Sequence, residues 1–420
     1  MTNVLEKQLI GIELNKQTQE LASPTPTLMF LSILAMMCVI GLLSSDIYLP
    51  ALPIMAKTLN VKESDVQLTL TSFLLGLSIG QLIYGPLSDR LGRKKVLLIG
   101  MLVFIFATLC CSFSSNLYEL IIFRFFQAQG ACSGMVISRA IASDLYSRTV
   151  TAKIFTTIFP VVGASSAVAP ILGGYLTDSL GWQACFYFLA LYGFVLFLLI
   201  NLNLKESKKS LVVDKQNKIN RFLEMFEMLK HRLFLGFTLI ISSAYAAYFA
   251  YIAATPFLFY RYGFNPHQIG YFFILLSIFY ISGNLIARKL INHISINKGV
   301  FIGIVLFMAG SLAITVSSFL GNYHNNPLGL IIPMSLLTAG NGFIFPLCMA
   351  STVTLFPTSA GTASGLMGFL QLGAAAFAVG IVGHLTNNQE LPLALFLTLN
   401  AIIASVSFYF FIIKGAYIDE

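Results

Sequence analysis

Apolar positions in this chain neither alternate as in a half-buried strand nor recur on one helical face; they run on unbroken. Apolar stretches fill residues 28–56, 67–86, 96–114, 117–142, 153–177 and 184–204, and again 233–257, 268–290, 299–320, 328–353, 361–384 and 391–413. A helix rises about 1.5 Å per residue, so roughly 20 apolar residues cross a hydrocarbon core of about 30 Å. The pattern predicts an all-α membrane protein with twelve transmembrane helices. Membrane barrels are excluded, because their strands alternate every second residue.

Residues 205–232 are the long polar interruption, and they divide the runs six against six. The predicted organisation is a cytoplasmic tail (1–27), a six-helix half (28–204), a cytoplasmic linker (205–232), a second six-helix half (233–413) and a short cytoplasmic tail (414–420). Equal halves are the footprint of transporters built from repeats, with the substrate path at their interface. Within the linker, Phe222, Leu223, Phe226 and Leu229 recur at helical spacing against Arg221, Glu224, Glu227 and Lys230. That spacing predicts an amphipathic helix on the inner membrane surface, acting either as a lever between halves or as a plain tether.

Composition supports the reading: 57% of residues are hydrophobic and only 10% charged, where a soluble domain carries about 25% charged residues. Mean hydropathy is +0.83. The net charge of +8 does not point to nucleic acid once its location is considered. With the N-terminus placed inside, 21 of the 25 basic residues fall in cytoplasmic segments. Lys57, Lys62 and Arg261 fall outside and Arg124 within a helix. This bias predicts that both termini are cytoplasmic. Glu6, Glu13 and Glu20 in a polar N-terminal stretch do not fit a cleaved secretory signal. The six cysteines lie scattered in apolar runs without CxxC spacing, so neither a disulfide framework nor a metal site is expected.

Charge inside a membrane helix costs roughly 2.5–3.5 kcal/mol at its centre on insertion scales, so each instance asks for a reason. Two stand out: Asp46 in the first run and Arg124 in the fourth. Asp46 precedes Lys57 by about 16 Å of helix, and Arg124 follows Asn116 by about 12 Å. The two helices run in opposite directions, which puts both charges in the outer half at similar depth and allows them to pair. Such a pair is either a structural tie between helices or a proton-linked carboxylate in a polar cavity. No acidic residue is embedded in runs seven to twelve, so carboxylate coupling must use the first half. The five histidines form no HExxH and no GxxxxGK[ST] is present, which removes metalloprotease chemistry and nucleotide hydrolysis. No enzymatic chemistry and no cofactor is expected; what remains is a carrier driven by an ion gradient or by its substrate.

Between the second and third runs lies Gly85-Pro86-Leu87-Ser88-Asp89-Arg90-Leu91-Gly92-Arg93-Lys94-Lys95. This segment resembles the signature loop of the major facilitator superfamily, G-x-x-x-D-R-x-G-R-K/R-x. Three further stretches resemble the Bcr/CflA drug-resistance subfamily of its drug/proton antiporters: Ser45 to Pro53, Arg124 to Asp144, and Ala169-Pro170-Ile171-Leu172-Gly173-Gly174-Tyr175. The resemblance spans the whole chain. It implies a cytoplasmic latch built from Gly85, Asp89, Arg90, Gly92, Arg93, Arg139 and Asp144, with Asp89 facing the eleventh helix near Gly361 and Arg93 pairing with Asp144. It further implies that Asp46 and Arg124 couple protons, and that Pro170, Gly173 and Gly174 form the helix-five antiporter motif. Ala169 stands where that motif more often has glycine, and the equivalent latch around Gly283 to Lys289 is degraded.

In this fold helices one, four, seven and ten line the path, which offers Ser44, Tyr48, Gln127, Tyr245, Tyr248 and Asn341 as substrate contacts; Tyr245, Tyr248 and Asn341 equally suit helix packing. The expected function is export of a small amphipathic compound, a drug or a secreted metabolite such as a siderophore, in exchange for protons by alternating access. The expected setting is a bacterial inner membrane, with the chain working as a monomer. An importer on the same fold and a non-transporting sensor or scaffold are the alternatives.

Overall fold

A computed structural model describes residues 26–207, 217–320, 327–357, 359–385 and 390–414. Among them are twelve helices long and apolar enough to span a membrane. They are α1 (Leu28–Thr58), α2 (Glu63–Leu91), α3 (Arg93–Phe113), α4 (Leu117–Leu145), α5 (Arg148–Leu180) and α6 (Gln183–Asn203). After the linker follow α7 (Arg232–Arg261), α8 (Pro266–Leu290), α9 (Ile296–Leu320), α10 (Leu328–Leu355), α11 (Ala360–Leu385) and α12 (Glu390–Ile413). No strand occurs among the described residues.

Each half packs within itself, α2, α3 and α6 around α4 and its neighbours, and α8, α9 and α12 around α10 and α7. The halves meet along two seams, α2 against α11 and α5 against α8. Both seams are glycine-lined at close approach. A Cβ on Gly174 of α5 would lie 2.5 Å from the Pro266 carbonyl oxygen of α8, and one on Gly270 of α8 would lie 2.6 Å from the Pro170 oxygen of α5.

The first helix is broken where its sequence demands it. Regular α-helix ends at Asp46, a single 3-10 turn covers Leu49–Ala51, and helix resumes at Leu52–Thr58. Pro50 and Pro53 lack the amide protons that would continue the ladder. The break brings the Ile47 carbonyl outward, and α5 fits it with Gly173, where a Cβ would sit only 1.5 Å from that oxygen. Glycine is therefore obligatory at 173, to let two backbones touch.

The halves do not meet evenly along their length. Cross-half ties gather at the end opposite the Arg/Lys-rich loop: Arg261 Nη2 lies 2.6 Å from Glu63 Oε2, Lys57 Nζ donates to Tyr260 Oη at 3.1 Å, and His267 pairs with Asp178. Midway, Ser78 Oγ donates to the Phe369 carbonyl at 2.7 Å. At the basic end a Cβ on Gly85 or on Gly361 would meet nothing within 4 Å. The end away from the basic loop is thus the one tied shut by polar contacts between the halves.

The linker helix (Asn217–Lys230) departs from expectation in its packing. Met225, Met228 and Leu229 dock against Phe234, Ala363 and Leu366 at the basic ends of α7 and α11. Leu223 and Phe226 remain exposed on another side. The expected single apolar stripe is thus divided between protein and surroundings. The side chains of Arg221 and Phe222, the tails 1–25 and 415–420, and linker residues 208–216 lie outside the description.

Candidate functional site

Arg124 is fully buried in α4, yet it is not ion-paired with Asp46. Its Nη1 donates to the Ser44 carbonyl oxygen at 3.0 Å and to Gln127 Oε1 at 2.6 Å. Gln127 Nε2 in turn donates to Thr108 Oγ1 of α3 at 2.9 Å, which fixes the amide orientation. The guanidinium carbon lies 4.2 Å from the Tyr48 ring centre and 4.1 Å from that of Phe73, with Phe186 at 5.8 Å. A planar cation stacked between rings gains from their negative faces, which offsets part of its desolvation. Its Nε and Nη2 have no hydrogen-bond partner among the described residues.

Asp46, 2% exposed, sits at the lip of the α1 break. Ser45 Oγ donates to its Oδ1 at 2.7 Å, and Ser166 of α5 stands beside the same carboxylate. Tyr248 of α7, in the opposite half, is close enough to interact with it electrostatically. Asp46 is the one carboxylate among the fully buried described side chains. Two serine hydroxyls can steady its charged form, while gain or loss of a proton changes the charge of the space between the halves.

These positions sort the expected cavity residues into two groups. Ser44, Tyr48 and Gln127 are fully buried among N-half helices and build the holder of Arg124; in this conformation they do not border open space. Tyr48 closes its own hydrogen-bond needs on Thr69 at 3.3 Å. Tyr245 and Tyr248 are half-buried on α7. Tyr245 stacks near Phe345 at 4.3 Å, and Phe345 lies 6.0 Å from Tyr280, so an aromatic wall faces the N half. Asn341 is buried on α10, with neither amide atom bonded to a described residue. Its neighbours Gly340 and Gly342 let α10 pack on α9 and α8, where a Cβ would meet backbone at 2.5 Å.

The latch forms within its own half. Arg93 Nε bonds Asp144 Oδ2 at 2.9 Å, its Nη2 lies 2.8 Å from Asp89 Oδ1, and its Nη1 donates to Ser88 Oγ at 2.7 Å. A Cβ on Gly361 of α11, the expected neighbour of Asp89, would meet nothing within 4 Å. Arg139 does not join the latch: it is exposed, without a hydrogen bond or ion pair to a described residue, and near enough to Tyr245 to interact across the gap. Arg90 lies in the last turn of α2.

Glu206 was invisible as a functional residue in the sequence. Its carboxylate accepts from the backbone amides of Arg93 at 2.7 Å and Lys94 at 3.1 Å, capping the first turn of α3. Gly92 makes this possible, with φ of +97° and room for that carboxylate where a Cβ would lie 2.8 Å away. The linker is thereby tied to the signature loop. Ser166, Thr108 and Phe73 were equally unmarked. No cluster of metal-binding side chains occurs among the described residues.

The sequence pattern of the Major Facilitator Superfamily matches residues 29–379. The chain belongs to this superfamily. An uncharacterized MFS-type transporter of Bacillus subtilis, YdgK, is 32% identical over 90% of this chain and 94% of its own length. A bicyclomycin resistance protein homolog of Haemophilus influenzae is 28% identical over 91% and 96%. Among solved structures, a D-xylose-proton symporter superposes with a TM-score of 0.73 at 15% identity, over 90% of this chain and 96% of that one, which shows the shared fold. As a superfamily member this chain is a membrane transporter, and the resistance name of one relative agrees with the branch its motifs resemble.

Proposed function

We propose that this transporter exports a small amphipathic organic compound in exchange for protons by alternating access, with its basic end in the cytoplasm of a bacterial inner membrane. Under that orientation the structure is the inward-facing form. The observation that carries the reading is Asp46: a buried carboxylate at a helix break, held by serine hydroxyls and facing Tyr248 across the path. With the outer end open, a proton from outside neutralises Asp46 and weakens its hold on Ser45 and Ser166 as the compound leaves; the halves then return to the inward-facing form, where Asp46 gives the proton up to the cytoplasm.

Arg124 acts in this scheme by fixing helix one through the Ser44 carbonyl rather than by neutralising Asp46 directly. The half-buried tyrosines and Phe345 supply an aromatic face for an organic substrate, and Asn341 a donor and acceptor. The latch residues govern the basic end, and Pro170, Gly173 and Gly174 hold α5 against both α1 and α8. A single chain contains the whole path, so the monomer suffices.

The test uses inside-out vesicles with an imposed proton gradient, a pH-sensitive dye and candidate compounds. Dye recovery on addition of a compound, absent in Asp46→Asn, supports antiport. Equilibration of labelled compound without proton movement makes the protein a facilitator and ends the exporter reading.

A further inference from the structure

The closed end holds a cavity of about 540 Å³ that the transport cycle does not account for. It straddles the two halves: Lys57 of α1, Lys62 just before α2, and Glu63 and Gln67 of α2 line it on one side, Tyr260 and Arg261 of α7 on the other. Its charges do not balance. Arg261 and Glu63 are paired with each other at 2.6 Å. Lys57 has only the neutral hydroxyl and ring of Tyr260, at 3.1 Å and 4.4 Å, and Lys62 makes no ion pair with a described residue. Two lysines without a carboxylate partner among the described residues, beside a glutamate already paired with Arg261, leave the cavity an excess of positive charge that suits an anion.

We infer that this vestibule is a binding site for a small organic carboxylate, and that its occupation locks the closed end. The carboxylate sits between Lys57 and Lys62. Charge-assisted bonds of this kind are the strong ones, and partial desolvation in a cavity strengthens them. Because the walls come from both halves, separation of the halves dismantles the site. A ligand that binds one conformation only stabilises it in proportion to the logarithm of its concentration over its Kd. Under the orientation proposed above the ligand enters from outside, so an external organic acid holds the transporter inward-facing and slows its cycle. The site itself stands independently of that orientation and of proton coupling.

The test measures melting of the purified full-length chain in lipid nanodiscs with sodium gluconate as probe, against sodium chloride at equal ionic strength and against sorbitol, which keeps the hydroxyls and lacks the charge. Gluconate is expected to raise the melting temperature in a saturable way, and sorbitol to leave it unchanged. Lys57→Gln/Lys62→Gln is expected to weaken the apparent affinity about tenfold or more. Spin labels across the basic end should show the wide-separation population rising with gluconate. No stabilisation beyond chloride, equal stabilisation by sorbitol, or an undiminished effect in the double variant overturns the assignment. Lys62→Gln alone serves if the double variant melts early in chloride, and an affinity equal to the parent's then overturns it too. None of these readouts requires transport, so the result is separate from the vesicle experiment.

Discussion

Arg124 reaches across from the fourth helix to the carbonyl oxygen of Ser44, 3.0 Å away, and leaves Asp46 to the serines beside it. The guanidinium thus grips the backbone of helix one just ahead of its break. Arg124→Lys keeps the charge but cannot satisfy Ser44 and Gln127 together or stack flat between Tyr48 and Phe73. Transport should fall at least about tenfold and the melting temperature should drop, since a stranded buried acceptor costs about 1–3 kcal/mol. Initial rates in vesicles and melting curves check both; a fully active Arg124→Lys would mean that charge alone matters.

Asp46→Asn removes the titratable group while keeping its shape. Gradient-driven transport should be lost while the protein still folds and still binds compound. Vesicle flux and equilibrium binding on the same preparation decide it, and proton-coupled flux surviving in the variant would sink the coupling role.

Adjacent glycines in α5 should behave differently. Gly173→Ala drives a methyl group into the Ile47 oxygen within one half, so it should destabilise the fold by about 3 kcal/mol or more, since backbone on backbone cannot relax. Gly174→Ala meets Pro266 and His267 across the seam, so it should leave the fold intact and prop the closed end apart. Melting curves for the first and spin-label distances across the closed end for the second test this division.

At the basic end, Arg93 holds Asp89, Asp144 and Ser88 at once, and Glu206 holds the two amides that follow Gly92. Arg93→Ala should therefore impair turnover more than Asp89→Ala, and neither should shift the substrate spectrum. Glu206→Gln should weaken the cap by about 0.5–2 kcal/mol, visible as faster amide exchange in the first turn of α3. A changed substrate spectrum in Asp89→Ala would contradict a purely gating role.

Cross-half pairs at the closed end are partly exposed, so each contributes little alone, about 0.2–1 kcal/mol. Glu63→Gln with Arg261→Gln should shift the conformational balance by no more than a few-fold, and the shift should shrink in high salt. Distance distributions at two ionic strengths measure it.

The fold was legible because each run is apolar all round and long enough to span, a signal that needs no tertiary information. Asp46, Arg124 and Arg93 stood out for the same reason: charge is conspicuous against hydrocarbon. Their partners did not. Whether Arg124 meets a carboxylate or a carbonyl depends on the rotation and depth of two helices to within an ångström or two, and spacing along one helix does not encode that. Phe73 is one among 37 phenylalanines, indistinguishable until the packing is seen. Glu206 sits in an unremarkable polar stretch, and only the turn at Gly92 brings it to α3. Tyr48 is a cavity candidate by its position on helix one; its burial beside Arg124 emerges only from the packing.

Ser78 and Phe369 touch near the middle of α2 and α11, and among the described residues the cross-half ion pairs gather toward one end only. That places a fulcrum at mid-membrane, so the two ends move as opposite arms of a balance. Widening one gap narrows the other, and no tilt about such an axle opens both together. The barrier to leakage is then a property of the rigid halves and their pivot, present even before any individual gate residue has closed.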